Sequence, residues 1–189
     1  MRKPEAGPQR LFAVRSLAPD DGPALARFAA DVPEGERRFL KENLEDLEIN
    51  FAAAVNDRGV RRLVAADPDG EIAGVAGAFP GSGWSSHVAE VRVIVSANHR
   101  RRGVGRALAG AALIEALALD CSRAYVEVVA EQEALVAMFQ DLGFEPEALL
   151  ADFVRDGSGE FHDLMLLTHH ADEQLGRQQV LGLAEAMAP

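Results

Sequence analysis

The apolar positions of this chain follow two periods, and the change from one to the other marks its central segment. Val88 to Val95 is a β-rich run with Arg92 in its middle, closed by the turn-forming Ser96-Ala97-Asn98, and it reads as a largely buried strand. From Arg106 onward Ala and Leu dominate, no Pro interrupts, and an amphipathic helix of about four turns is expected. Ala124 to Val129 reads as a further strand and Gln132 to Leu142 as a short helix. Leu142-Gly143-Phe144 is its glycine-terminated end, leading into the next strand.

Upstream, Leu11 to Leu17 alternates like an edge strand. Asp20 or Asp21 is placed to cap a helix through Ala30, with Leu25 and Phe28 inward and Val32-Pro33 ending it. A longer helix is expected from about Glu34, because Phe39, Leu40, Leu44, Leu47 and Phe51 recur near helical spacing with charges between them. Arg61 to Ala66 and Glu71 to Phe79 read as strands joined by Asp67-Pro68-Asp69-Gly70, a hairpin signal. Gly74 and Gly77, inside the second of these, mark either close backbone approach or simple packing. Pro80-Gly81-Ser82-Gly83 then breaks the chain before the central strand. Leu149 to Arg155 and Phe161 to Thr168 form a last pair around Asp156-Gly157-Ser158-Gly159. The expected organisation is a mobile lead-in over residues 1–10, one domain over 11–168, and a tail over 169–189. In that tail Leu175, Val180, Leu181 and Leu183 suit a helix packed on the domain or on a second copy, so a homodimer is among the expected assemblies.

Between the central strand and its helix lies Arg100-Arg101-Arg102-Gly103-Val104-Gly105. The first N–H groups of a helix have no intrahelical acceptor and the macrodipole is positive there, so a strand that delivers a basic, glycine-interrupted turn into a helix N-terminus suits a phosphate. Gly103 and Gly105 let backbone approach a bulky ligand, and the arginines add forked donors. A Walker A loop is excluded because no Lys-Ser/Thr follows, and a dinucleotide fingerprint because Leu108 stands at its third glycine position.

Composition narrows the partners. At 189 residues, 48% hydrophobic and 26% charged, the chain suits one globular domain with a substantial core. The net charge of −11 disfavours nucleic acid and anionic membrane surfaces, yet His99 to Arg102 with Arg106 forms a compact basic island suited to one polyphosphate. The acidic remainder favours a cationic acceptor. No run reaches the length of a membrane span and Met1 to Pro8 lacks a signal peptide's apolar stretch, so a cytoplasmic protein is expected. Cys121 is the only cysteine and reads as a small, partly buried hydrophobe. His162, Asp163, His169 and His170 lack a recognisable ligand spacing, and no metal is expected.

Arg-x-x-Gly-x-Gly, carried by Arg100, Gly103 and Gly105 after a strand and before a helix, resembles the acyl-CoA pyrophosphate loop of the GNAT superfamily of N-acetyltransferases. The strand, helix and Leu142-Gly143-Phe144 that follow resemble a second landmark of that family. The resemblance covers most of residues 11–168. It implies an α/β fold with a mixed, mainly antiparallel central sheet flanked by helices on both faces, and transfer of an acetyl group from acetyl-CoA to a primary amine of a small molecule or a protein lysine.

The same resemblance implies roles for residues. The central strand splays from the strand at Ala124 to Val129, and the backbone of Val93 and Val95 holds the pantetheine arm as another strand would. The amides of Arg101, Arg102, Gly103, Val104, Gly105 and Arg106 receive the pyrophosphate, beside Arg100. Gln132 stands where the family often has an Asn that contacts the cofactor. The amine must lose a proton to attack, and Glu90 is the first candidate base, close to where some members carry a glutamate. His87 is the alternative, three residues away and so on the opposite face of a strand. Many members protonate the leaving thiolate with a Tyr four residues before the Gly of "L-G-F". Here that residue is Phe139, and the only tyrosine, Tyr125, lies in the preceding strand and does not match. The missing acid motivates a second reading, a noncatalytic module that binds acyl-CoA as a regulatory ligand.

Overall fold

The structure is a computed structural model and describes residues 12–32 and 51–170. Residues 34–50 of the helix expected from Glu34, the lead-in, Leu11 and the tail beyond His170 lie outside the described residues, whereas the end of that segment, Phe51–Asn56, is helical. The strands are β1 (Ala13–Ser16), β2 (Arg61–Ala66), β3 (Ile72–Pro80), β4 (Val88–Val95), β5 (Arg123–Val129), β6 (Glu145–Arg155) and β7 (Phe161–His170). The helices are α1 (Gly22–Asp31), α2 (Phe51–Asn56), α3 (Val104–Ala118) and α4 (Glu133–Gln140).

The strands form one sheet in the order β1-β2-β3-β4-β5-β7-β6. Every neighbouring pair is antiparallel except β4 and β5. A parallel pair needs a crossover long enough to return the chain to the same end, and the 15-residue α3 supplies it. Strand alternation divides the core between the two faces. Leu63 and Ala65 of β2 join the cluster around Leu108, Ala112 and Leu113 of α3, whereas Val64 joins Leu25 and Phe28 of α1. Helices therefore cover both faces, as expected. Gly74 belongs to the α3 face by close approach: a Cβ there would stand 2.8 Å from both the Ile94 carbonyl oxygen and Leu108 Cδ1.

Several boundaries differ from the sequence expectation, β6 starting at Glu145 rather than Leu149 among them, and three differences have a clear physical reason. The helix expected from Arg106 begins at Val104, because Gly103 at φ 83° turns the chain directly into it. β7 runs two residues beyond Thr168, held by the pairing of His169 with Ala124 and of His170 with Arg123. The helix through Ala30 exists, but Asp21 does not cap it. Its carboxylate accepts the Ala18 N–H at 2.8 Å and takes the Arg15 guanidinium through two contacts of 2.6 Å, and a single turn over Pro19–Asp21 leads in. The bond from Arg15 holds the Asp21 carboxyl below its usual range.

Candidate active site

The pairing of β4 with β5 stops early. It covers Val88 with Arg123, Ala89 with Ala124 and Glu90 with Tyr125, after which the two strands part while each keeps its other neighbour. Which main-chain groups face the resulting gap follows from period two. The Val88 carbonyl accepts from Gly81 and the Ser96 N–H donates to Ala73, both on the β3 side, while the His87 carbonyl accepts from Ser122 and Arg123 on the β5 side. Even-numbered residues of β4 therefore bond toward β3, and the N–H and C=O groups of Val93 and Val95 point into the gap.

The basic turn stands at the wide end of that gap. Ser96 is buried, its hydroxyl 2.8 Å from His99 Nδ1, and a single turn over Ala97–His99 leads to Arg100, whose guanidinium lies 3.5 Å from the Val95 carbonyl. Arg101 takes φ 57° and Gly103 φ 83°. The first backbone bond of α3 runs from the Ala107 N–H to the Gly103 carbonyl at 3.0 Å, so the amides of Val104, Gly105 and Arg106 have no intrahelical acceptor. A Cβ on Gly105 would lie 3.4 Å from Val95 Cγ2, which fixes the helix terminus against the end of β4. An extended arm along Val93 and Val95 and an anion on the α3 amides thus meet at one corner. This donor set fits an acyl-CoA.

The predicted basic residues divide in role. The side chains of Arg100, Arg101 and Arg102 are exposed at the turn. That of Arg106 instead pairs with Asp141 at the end of α4, at 3.0 Å. The Val104 side chain is buried in the core, so only its amide is open to a ligand. Gln132 is exposed before α4, where its carbonyl accepts the Leu135 and Val136 N–H groups.

Glu90 is buried, and its phase along β4 puts it with Arg92 and Ile94 on the α1 face. Arg92 donates to Glu90 Oε2 at 2.9 Å, and the Tyr125 hydroxyl donates to the same oxygen at 3.3 Å. The Arg92 guanidinium also lies 4.3 Å from the centre of the Phe79 ring, with Arg62 on that ring at 5.3 Å. A cavity on this face is lined by Leu25, Arg62, Val75, Gly77, Arg92 and Ile94. His87 is exposed, and the contacts it makes to β5 are through its carbonyl. Phe139 is 3% exposed and packs edge-on against Phe144, with ring centres 5.3 Å apart, so that position faces the core.

Sequence reasoning missed Tyr125 and Arg92. Their link to Glu90 depends on the β4–β5 register, which no local pattern encodes. The histidine grouping considered from sequence is not assembled, since His162 and His169 stand at opposite ends of β7. His162 joins Asp156 and Glu160 instead, with one potential ligand atom from each lying within 4.8 Å of the others. Asp156 there accepts from Ser158 and Glu160 and pairs with His162 at 3.2 Å, which locks the β6–β7 turn and raises the His162 pKa. Cys121 is buried against the Ser86 and Leu119 carbonyls, and burial raises its thiol pKa, as suits a small hydrophobe.

The model of the Acetyltransferase (GNAT) family matches residues 26–144, and the chain belongs to that family. It is an acetyl-CoA-dependent N-acetyltransferase. Solved structures share the fold. Spermidine N-acetyltransferase from Vibrio cholerae in complex with CoA and spermine superposes with a TM-score of 0.71 at 19% identity, over 92% of this chain and 99% of that one. Ribosomal-protein-alanine N-acetyltransferase from Brucella melitensis gives 0.69 at 24% identity, over 83% and 98%. A GNAT-family acetyltransferase from Streptococcus pneumoniae gives 0.68 at 20% identity, over 84% and 99%. No curated protein sequence matches the chain.

Proposed function

We propose that the chain transfers the acetyl group of acetyl-CoA to a primary amine of a small molecule or a protein lysine, with Glu90 as the base. The observation that carries this reading is the end of β4–β5 pairing at Glu90 and Tyr125. An acyl-pantetheine bonded to Val93 and Val95 would bring its thioester toward that point, and its pyrophosphate would lie on the Val104, Gly105 and Arg106 amides beside Arg100, Arg101 and Arg102. An amine on the α1 face would then meet the thioester next to Glu90. A free amine attacks where an ammonium does not, so the carboxylate's work is to take its proton. Glu90 is preferred to His87 because it is buried at the parting of the strands while His87 faces solvent.

Coarser features support a setting for this chemistry. The net charge of −11 suits a cationic acceptor over nucleic acid or an anionic membrane surface, and no described helix is long and apolar enough to cross a membrane. A cytoplasmic location accords with the use of acetyl-CoA and with one buried cysteine. Leu149, Phe153 and Phe161 are exposed on the β6–β7 hairpin and supply a face for a homodimer.

The test is release of CoA thiol from acetyl-CoA in the presence of spermidine, a peptide beginning with alanine, a lysine peptide and small primary amines. Transfer to at least one acceptor, lowered on the order of 10²-fold or more by Glu90→Gln, is expected. Acetyl-CoA binding without transfer to any acceptor would instead favour the noncatalytic module, the reading that Phe139 motivates.

A further inference from the structure

We propose that Tyr125 is the proton donor to the departing CoA thiolate and that Glu90 reloads it across the hydrogen bond joining them. The inference rests on the acetyl-transfer reading above and assigns the acid that Phe139 cannot supply.

In the tetrahedral intermediate of acyl transfer the attacking nitrogen and the leaving sulfur sit on the same carbon. The group that takes a proton from the nitrogen and the group that gives one to the sulfur must therefore stand side by side. Glu90 and Tyr125 do so. They are opposite one another in the last register position of β4 and β5 before the strands part, and the phenol oxygen is 3.3 Å from Glu90 Oε2. Tyr125 alternates with Ala124 and Val126, both in the α3-side core, which puts its ring on the α1 face with Glu90. Arg92, donating to the same carboxylate oxygen at 2.9 Å, fixes the geometry of the pair.

Intrinsic acidities explain why the two groups act together. A phenol, with an ordinary pKa of about 10, is a weaker acid than a thiol near 8.5, so tyrosine alone would transfer its proton uphill. A carboxylic acid behind it, near 4.3, reverses that balance. The steps close without any other reactant. Once Glu90 has passed the ammonium's first proton to solvent, the free amine nitrogen forms its bond to the acyl carbon and its next proton passes to the Glu90 carboxylate. As the carbon–sulfur bond breaks and its electron pair goes to sulfur, the Tyr125 proton moves to the thiolate, and the Glu90 proton moves to the phenol oxygen. The products are the amide and free CoA thiol, with Tyr125 and Glu90 in their starting states. Net transfer is one proton from nitrogen to sulfur.

Tyr125 is the chain's only tyrosine, which gives a direct test. Wild-type protein, Tyr125→Phe, and protein grown with 3-fluorotyrosine in place of tyrosine are assayed for CoA release across pH 6 to 11 with the acceptor panel above. Tyr125→Phe should lower kcat roughly 10²–10⁴-fold, leave KM for acetyl-CoA unchanged, and abolish the alkaline descent of the kcat profile. Fluorotyrosine keeps the ring and the hydroxyl, so the fold is retained even where the Phe variant is unstable, and the alkaline descent should move to lower pH with the more acidic phenol. Wild-type transfer accompanied by an unchanged kcat in Tyr125→Phe, or by an unmoved alkaline descent in the fluorotyrosine protein, overturns this inference alone. No transfer by the wild-type chain overturns the parent reading and this one with it.

Discussion

His169 carries the clearest proton-linked signature among the described residues. It is 3% exposed, its Nδ1 has no hydrogen-bond partner, and its ring lies 5.3 Å from that of Phe144. Burial lowers its pKa, and the neighbouring His170 acts in the same direction. With the folded pKa below the unfolded value of about 6.5, the contribution to stability is present above that pH. It is lost as pH falls from there through the folded value, because only the unfolded chain takes the proton. His162 has the opposite sign: the bond to Asp156 raises its pKa, so its contribution is present below about 6.5 and lost as pH rises through the folded value. Thermal denaturation from pH 7.5 to 5 should therefore show His169→Phe losing less Tm than wild type toward the acid end. Parallel losses in the two proteins would show that His169 is not the group responsible.

At the scale of elements, the proposed cofactor site is a junction between the end of β4 and the start of α3, and Gly103 makes that junction. At φ 83° it occupies a backbone region that a β-branched residue adopts only at a cost of about 1–3 kcal/mol, although a Cβ there would meet nothing within 4 Å. Gly103→Val should lower Tm by the strain and reduce acetyl-CoA affinity at least tenfold in a calorimetric titration, since relieving the strain re-aims the Val104 to Arg106 amides. Undiminished affinity would remove the turn from the phosphate site. Much of this element was legible in the sequence, because the glycines, the turn residues and the switch from period two to helical period are local. Val88 to Val95 and Arg61 to Ala66 appear in the structure with the bounds the pattern implied. Two features were not legible. Asp20 or Asp21 was expected to cap α1, but Asp21 makes no cap bond, its carboxylate being held by Arg15, six residues earlier. Tyr125 looked unrelated to the site until the register set it against Glu90, 35 residues away. Each was decided by a contact between elements, which no local pattern specifies.

Across the whole molecule, the fold separates two approaches to one point. In the proposed function the donor reaches the parting of β4 and β5 from the α3 terminus, where the basic turn stands out in a chain of net charge −11. The proposed acceptor route is from the α1 face, beside Glu90. The parallel pair opens there because β4 stays bonded to β3 while β5 follows β7. The most direct measurement is amide hydrogen exchange, residue by residue, with and without acetyl-CoA. Added acetyl-CoA is predicted to protect the amides of Val93 and Val95 and those of Val104, Gly105 and Arg106. Arg92 and Ile94, already bonded toward β3, should change little. Acetyl-CoA binding that leaves Val93 and Val95 unprotected, or protects Arg92 and Ile94 equally, would contradict a donor seated in the gap.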